Sequence, residues 1–318
     1  MGTSELSPED AAERIEKALN RMQKELQPLE NILEAFRPVL VERARFKAEL
    51  PLLKDSHPLP ADPRRFEEGV PLAPAETLIS FGEALWKKAA DRLIPAMGKG
   101  FPKIRHELDT ISLALVDGRI DPESLVQGML TGQDEEITGV ASDLEIRPET
   151  LRFTLGQVLK PLVEKRSESL EPLVSNLRWR KGYCPICGSM PELGFLKGDG
   201  GQKWLKCSLC AHEWRFMRTM CPFCESDDHQ KMEFYFVTDR EHERVELCHG
   251  CNRYLLNVDL RPQAEEVVLE VAAIGLVHLD VLAQEKGFLP VAVCGWNLVV
   301  RGDISSATVP LDSGRSTM

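Results

Sequence analysis

The sequence predicts a multidomain chain of the α + small β class: an all-α N-terminal domain, then two small four-cysteine modules, then a C-terminal helix. Three observations carry this. Cysteine is absent before Cys184, and the first eight of the nine cysteines then fall into four Cys-x-x-Cys pairs. Up to about residue 175, apolar residues recur at helical spacing, with proline and acidic residues where helices would start. Beyond that point short apolar runs alternate with Gly- and Asp-containing turns, the pattern of hairpins. The predicted domains are 1–177 (all-α), 178–219 (first module), 220–290 (second module with the C-terminal helix) and 291–318 (a partly disordered tail).

The first helix is predicted to start at Ser7-Pro8-Glu9-Asp10, where Ser7 can cap, proline suits the first turn and the acids face the positive end of the helix dipole. Ala11, Ile15, Ala18, Leu19, Met22 and Leu26 then line one face. A second stripe runs through Leu29, Ile32, Leu33, Phe36, Val39 and Leu40, with Pro38 expected to kink or break it. The Pro-rich stretch 51–74 is expected to be extended or looping. Helical patterns resume over 75–97, 102–116 and about 121–175, with Asp121 as a cap and Pro122 in the first turn behind it. "MPELGFL" and "QKWLKC" flank Gly198-Asp199-Gly200-Gly201 and read as a hairpin. "KMEFYFVT" and "RVELC" flank 239–243 and read as a longer one. "RYLLNVDL" is a further strand, and 263–286 reads as one helix stopped by Gly287.

Composition narrows the function classes. The chain has 318 residues, 43% hydrophobic and 28% charged, with a formal net charge of -11. This is the composition of a globular protein. No apolar run approaches the roughly 20 residues of a membrane helix. The N-terminus lacks the basic start and apolar core of a secretory signal. The expected location is therefore cytoplasmic, where closely spaced cysteines are metal ligands or redox centres more often than structural disulfides.

A Cys-x-x-Cys turn aims two sulfurs at one centre, and two such turns complete a tetrahedron around a borderline or soft metal. Nineteen residues separate Cys187 from Cys207, 23 separate Cys224 from Cys248, and only 10 separate Cys210 from Cys221. The simplest pairing is sequential: Cys184, Cys187, Cys207 and Cys210 around one metal, and Cys221, Cys224, Cys248 and Cys251 around another. An interleaved pairing stays open. Gly188 and Ala211 are small residues that let the chain bend behind the first two pairs. His212 and His249 stand beside the knuckles and could substitute as ligands, but eight cysteines already complete two shells. His57 and His106 have no partner at ligand spacing. His278 falls on an apolar helix face and reads as a packed histidine, and Cys294 as a buried small side chain.

Four-cysteine sites of this kind occur in zinc ribbons and in rubredoxin-like iron sites, and ligand identity does not separate the metals. Zinc ribbons often bind nucleic acid, yet residues 176–262 carry 13 basic against 12 acidic side chains. A nucleic-acid module shows a clear positive footprint. The one basic stripe, Arg178, Arg180 and Lys181 around Trp179, reads as a solvated linker whose indole packs on the first knuckle. A thiol oxidoreductase would need a thioredoxin-like context around a motif, and none is visible.

The run of "HPL", "RRFEEGVPL", "GYCPICGSMPELG", "CSLCAHEWRFMRTMCPFCES", "VELCHGCNRYLLNVD" and "VHLDVLAQEKGF" resembles the FdhE family of formate dehydrogenase accessory proteins. The likeness covers most of the chain, is specific in the cysteine half, is looser before residue 170, and does not extend past Phe288. It implies a helical domain followed by two rubredoxin-like metal modules in a cytoplasmic, non-catalytic maturation factor. It also implies that the eight paired cysteines hold iron in two mononuclear sites, with zinc as the alternative. The implied partner is the molybdopterin-carrying catalytic subunit of formate dehydrogenase, with neither nucleic acid nor membrane; a homodimer is left open. The other readings that stand beside it are a zinc-ribbon nucleic-acid-binding protein and a thiol oxidoreductase.

Overall fold

The computed structural model describes residues 6–53, 62–73, 75–238, 240–263 and 265–297. The chain divides into two units, residues 1–56 with 74–169 and residues 57–73 with 170–318.

The first unit is helical. Helices α1 (Pro8–Glu25) and α2 (Glu30–Glu49) are joined by a short 3-10 turn. The α1 cap forms as the sequence predicts: the Ser7 hydroxyl accepts from the Asp10 N–H at 3.1 Å. Pro38 does not break α2, which runs through it. The reason is tertiary. Leu33, Phe36, Val39, Leu40 and Phe46 are all buried along the same helix, and burial at roughly 1.5–3 kcal/mol per large apolar side chain outweighs one lost hydrogen bond.

The Pro-rich stretch is not wholly extended. It holds α3 (Pro63–Glu67), whose first turn is capped by Asp62 accepting from the Arg64 N–H, and it is followed by the single turn α4 (Ala75–Leu78). Helices α5 (Glu83–Gly100), α6 (Arg105–Val116), α7 (Pro122–Thr131), α8 (Asp134–Asp143) and α9 (Pro148–Val174) complete the helical half. Asp121 caps α7. Glu123, in the first turn of α7, does a second job. Its Oε1 accepts from the N–H groups of Phe81 and Gly82 at 2.7 and 2.8 Å and from the Trp86 indole at 3.3 Å. It thereby serves the start of α5, where Gly82 has no side chain to offer. Phe36, Phe101 and Phe153 meet edge-to-face in the core of this unit. The end of α5 approaches the α2 backbone so closely that a Cβ on Gly100 would lie 1.9 Å from the Ala35 carbonyl oxygen.

The second unit is built on one sheet of seven strands among the described residues. Strands β1 (Pro191–Lys197), β2 (Gln202–Cys207) and β3 (Glu213–Arg215) form an antiparallel meander. Strands β4 (Met232–Val237), β5 (Arg240–Cys248) and β6 (Arg253–Asp259) form another. The order is β3-β2-β1-β6-β5-β4, with β1 and β6 parallel where the two meanders meet. A short β7 (Leu289–Pro290) pairs with the start of β6. The first hairpin turns at Gly198–Gly201, as the sequence predicts. The second is tighter than expected: Arg240–Glu243 belong to β5, and the register shifts between Phe236 and Val237.

The predicted helix over 263–286 is two helices, α10 (Leu269–Gly275) and α11 (Val277–Glu285), divided at Leu276. Residues 265–268 stay outside α10, which starts at Leu269 with no side-chain cap. Asp280 fastens α11 to the sheet. It is fully buried, receives the Tyr254 hydroxyl of β6, and accepts from Gln284 Nε2 at 2.7 Å. Gly287 ends α11 at φ +85°. Residues 298–318, the greater part of the expected tail, lie outside the described residues, as does His57.

Candidate metal centres

The eight paired cysteines are gathered into two groups of four, Cys184/Cys187/Cys207/Cys210 and Cys221/Cys224/Cys248/Cys251, with the sulfurs of each group all within 4.8 Å of one another. The grouping is the sequential one. Each group joins the knuckle before a hairpin to the knuckle that follows it, so the hairpins β1–β2 and β4–β5 set the spacing.

Local backbone geometry explains how each knuckle closes. The residue after the second cysteine is left-handed in all four: Gly188 (φ 77°), Ala211 (φ 56°), Glu225 (φ 54°) and Asn252 (φ 58°). Conformation matters here more than smallness, because Glu225 adopts it as well. For a residue with a Cβ this costs on the order of 1–2 kcal/mol, and three such residues recur at equivalent positions. The turn is then locked. Gly188, Glu225 and Asn252 each donate their N–H to the carbonyl of the first cysteine of their knuckle, at 2.8–2.9 Å. Cys184, Cys207 and Cys221 donate theirs five residues ahead, to Ser189, His212 and Ser226 at 2.9–3.0 Å.

The distances suit a tetrahedral ion. Metal–sulfur bonds of about 2.3 Å imply a sulfur–sulfur edge of about 3.8 Å. The short edges are 3.6 Å (Cys184–Cys210), 3.4 Å (Cys187–Cys207), 3.7 Å (Cys221–Cys251) and 3.7 Å (Cys224–Cys248). A disulfide requires about 2.05 Å, and all nine cysteines are free. Burial pushes the Cys184 thiol up strongly and the Cys221 thiol up to about 11. Burial works the same way on Cys248, but the N–H groups of Cys251 and Gly250 pointing at its sulfur hold it below the usual thiol range. A cation among the sulfurs supplies the charge that four gathered thiolates need, so the donor set fits a borderline or soft metal.

The two centres are unequally covered. All four sulfur residues of the first are buried, whereas Cys224 of the second is exposed and Cys251 half-buried. The first is covered by a strap that sequence reasoning read only as loop, residues 62–73. Leu72 and Ala73 donate their N–H groups to the carbonyls of Pro185 and Ile186, both at 2.9 Å. The Tyr183 hydroxyl donates to the Gly69 carbonyl at 2.7 Å, and Phe66 packs on the Trp179 ring with centroids 4.6 Å apart. Trp179 accordingly sits on the first knuckle, its indole N–H donating to the Tyr183 carbonyl at 2.7 Å.

The remaining candidates fall into place. Lys181 of the basic stripe pairs with Glu225 at 3.0 Å, and the same carboxylate accepts from the Gly182 N–H at 3.2 Å. The two modules are thus tied knuckle to knuckle. His212 is half-buried and held down to about 4 by that burial. His249 is exposed, paired with Glu233 at 3.0 Å and stacked edge-on against Phe288. Cys294 is buried away from both groups, and His106 is exposed. Among the described residues no helix is long and apolar enough to cross a membrane.

Fold and centres together define a class: a helical unit followed in the chain by a tandem pair of knuckle–hairpin–knuckle modules, each with four sulfurs set for one metal. Comparison with known proteins shows what the chain is similar to. Residues 183–218 match the family model for the FdhE central domain. An FdhE homolog of Aquifex aeolicus is 28% identical over 196 residues, 60% of this chain and 68% of the relative. One from Stutzerimonas stutzeri is 29% identical over 266 residues, 76% of this chain and 84% of the relative. The crystal structure of the FdhE protein from Pseudomonas aeruginosa shares the fold, with a TM-score of 0.65 at 22% identity, over 93% of this chain and 97% of that one. The chain is thus similar to FdhE proteins in sequence and shares their fold.

Proposed function

We propose that the chain is an accessory factor needed for formate dehydrogenase to become active, without a turnover of its own. The observation that supports this best is the pair of preformed four-sulfur centres in a chain similar to FdhE proteins. In this reading Cys184, Cys187, Cys207 and Cys210 hold one iron and Cys221, Cys224, Cys248 and Cys251 another, with zinc as the alternative metal. The metal ties the two ends of each hairpin, and the modules so fixed present a docking surface to the catalytic subunit of the dehydrogenase in the cytoplasm. The helical half, with 23 basic and 31 acidic side chains over residues 1–175, offers a negative face that favours encounter with a basic partner.

The test is a cell carrying Cys184→Ala with Cys187→Ala. It is expected to make the dehydrogenase subunits but to oxidise little formate, and the variant should no longer co-purify with the catalytic subunit. Normal formate oxidation would refute the reading. Four-thiolate iron shows visible charge-transfer absorption that bleaches on reduction, whereas zinc is colourless, so the spectrum of protein purified without air decides the metal.

A further inference from the structure

We infer that the two centres differ in kind: the first is a sealed structural site, and the second is an exchange site where an incoming donor, a thiolate or a small chelator, displaces Cys224 from the metal. The inference rests on the reading that both centres hold metal. It starts from an internal repeat. Cys184-Pro185-Ile186-Cys187-Gly188-Ser189 and Cys221-Pro222-Phe223-Cys224-Glu225-Ser226 are the same knuckle in sequence. They are also the same in conformation, with the left-handed fifth residue and the N–H bond from the first cysteine to the serine carbonyl in both. What differs is the environment.

In the first knuckle the strap is hydrogen-bonded across Pro185 and Ile186, and Ile186 is fully buried. In the second knuckle Phe223, the counterpart of Ile186, is 39% exposed, and Cys224 beside it is exposed too. Gly182 packs against the Pro222 carbonyl, where a Cβ would fall 1.8 Å from the oxygen, so the cover stops at Pro222 and leaves Phe223 and Cys224 exposed, and among the described residues no backbone N–H is bonded to either knuckle carbonyl. The Arg253 guanidinium lies 4.1 Å from the centroid of the Phe223 ring, a positive charge next to the open edge that draws an anionic donor. The step is a ligand substitution without change of oxidation state. One metal–sulfur bond to an incoming thiolate would form as the metal–Cys224 bond breaks, and Cys224 would leave as a thiolate, so charge and protons are conserved.

The experiment uses the full chain loaded with zinc and shown by elemental analysis to hold two ions. Zinc release to excess 4-(2-pyridylazo)resorcinol is followed by absorbance in the presence of iodoacetamide, and alkylated cysteines are mapped by mass spectrometry. One zinc is expected to leave at least about tenfold faster than the other, because release from the first centre needs local opening of the strap. Cys224 should be alkylated in the fast phase while Cys184, Cys187, Cys207 and Cys210 stay protected. Tyr183→Phe, which removes the hydroxyl bond to Gly69, should speed the slow phase and leave the fast one unchanged. Release of both ions in one phase, first alkylation in the Cys184 group, or a slow phase indifferent to Tyr183→Phe would overturn the inference. A correctly folded chain that binds fewer than two zinc ions would overturn the metal reading, and the inference with it.

Discussion

Replacing Lys203 by methionine should destabilise the sheet unit by about 3–5 kcal/mol, the usual cost of removing one partner from a buried ion pair. Lys203 stands on β2 and Glu246 on β5, and their side chains are 0% and 7% exposed. Two strands, β1 and β6, lie between β2 and β5 in the sheet, and the two long side chains meet across them. The ammonium and carboxylate are then out of reach of water. Methionine fills nearly the same volume, so packing is kept and the penalty isolates the stranded Glu246 carboxylate. Four of the five tryptophans, Trp179, Trp204, Trp214 and Trp296, lie in this unit. Urea unfolding of metal-loaded protein followed by tryptophan fluorescence therefore reads it directly. Lys203→Met with Glu246→Leu should recover most of the loss, since an apolar pair replaces the ionic one at little cost or with a gain. A single variant within about 0.5 kcal/mol of the parent, the range of ordinary surface changes, would show that the pair is solvated and refute the reasoning.

Cys187→Ser should lower bound metal by about one equivalent per chain and leave the Cys221–Cys251 centre loaded, because each shell is completed within its own module and metal binding is part of local folding; elemental analysis checks it, and loss of both ions would contradict it. Gly100→Ala should destabilise the helical unit by roughly 1–3 kcal/mol, the range for overpacking, since its Cβ would fall 1.9 Å from the Ala35 carbonyl oxygen; thermal melting by circular dichroism at a helix band reads this. Burial, reinforced by Arg240, pushes His278 down to about 4. Glu243 stands 3.7 Å from its Nε2, but the same carboxylate is bound by Arg240 and pulls little. The unfolded histidine takes a proton near 6.5 and the folded one only near 4. Between those values the unfolded state binds more protons, so stability falls as pH falls through that window, by about 3 kcal/mol in full. His278→Phe should flatten the profile from pH 6.5 to 4 relative to the parent, and an unchanged slope would refute the assignment.

Much of this architecture is legible in the sequence because its local signals are strong and agree with the fold. Ser7, Asp62 and Asp121 cap helices with the side-chain chemistry their positions offer, although Asp62 lies in a stretch that reads as loop from its prolines alone. Gly198 and Gly201 turn a hairpin whose strands carry the expected apolar runs. Failures occur where distant residues decide. Pro38 is a helix breaker by its own chemistry, and only burial on both sides of it keeps α2 whole. The strand β3 is three residues long, too short for a period, and exists because β2 offers it an edge. Residues 263–286 keep an apolar face throughout, so nothing in the periodicity marks the break at Leu276.

The candidate metal centres show the same division between local and distant causes. Four Cys-x-x-Cys pairs with hairpin-length gaps suffice to group eight sulfurs, because a hairpin returns the chain to where it began. The cover over each centre follows no such rule. Phe66, Gly69, Pro71 and Leu72 sit more than a hundred residues before Cys184, in a segment whose composition says only that it is extended. Hydrogen bonds from Leu72 and Ala73 to the knuckle carbonyls make that segment part of the first centre. One faint signal was available: Gly188 stands where the other knuckles carry alanine, glutamate and asparagine, and the ring of Pro71 lies 3.2 Å from where a Cβ on Gly188 would be. A side chain there would press on the strap, so a glycine that reads as a bend is also the floor on which a distant proline rests.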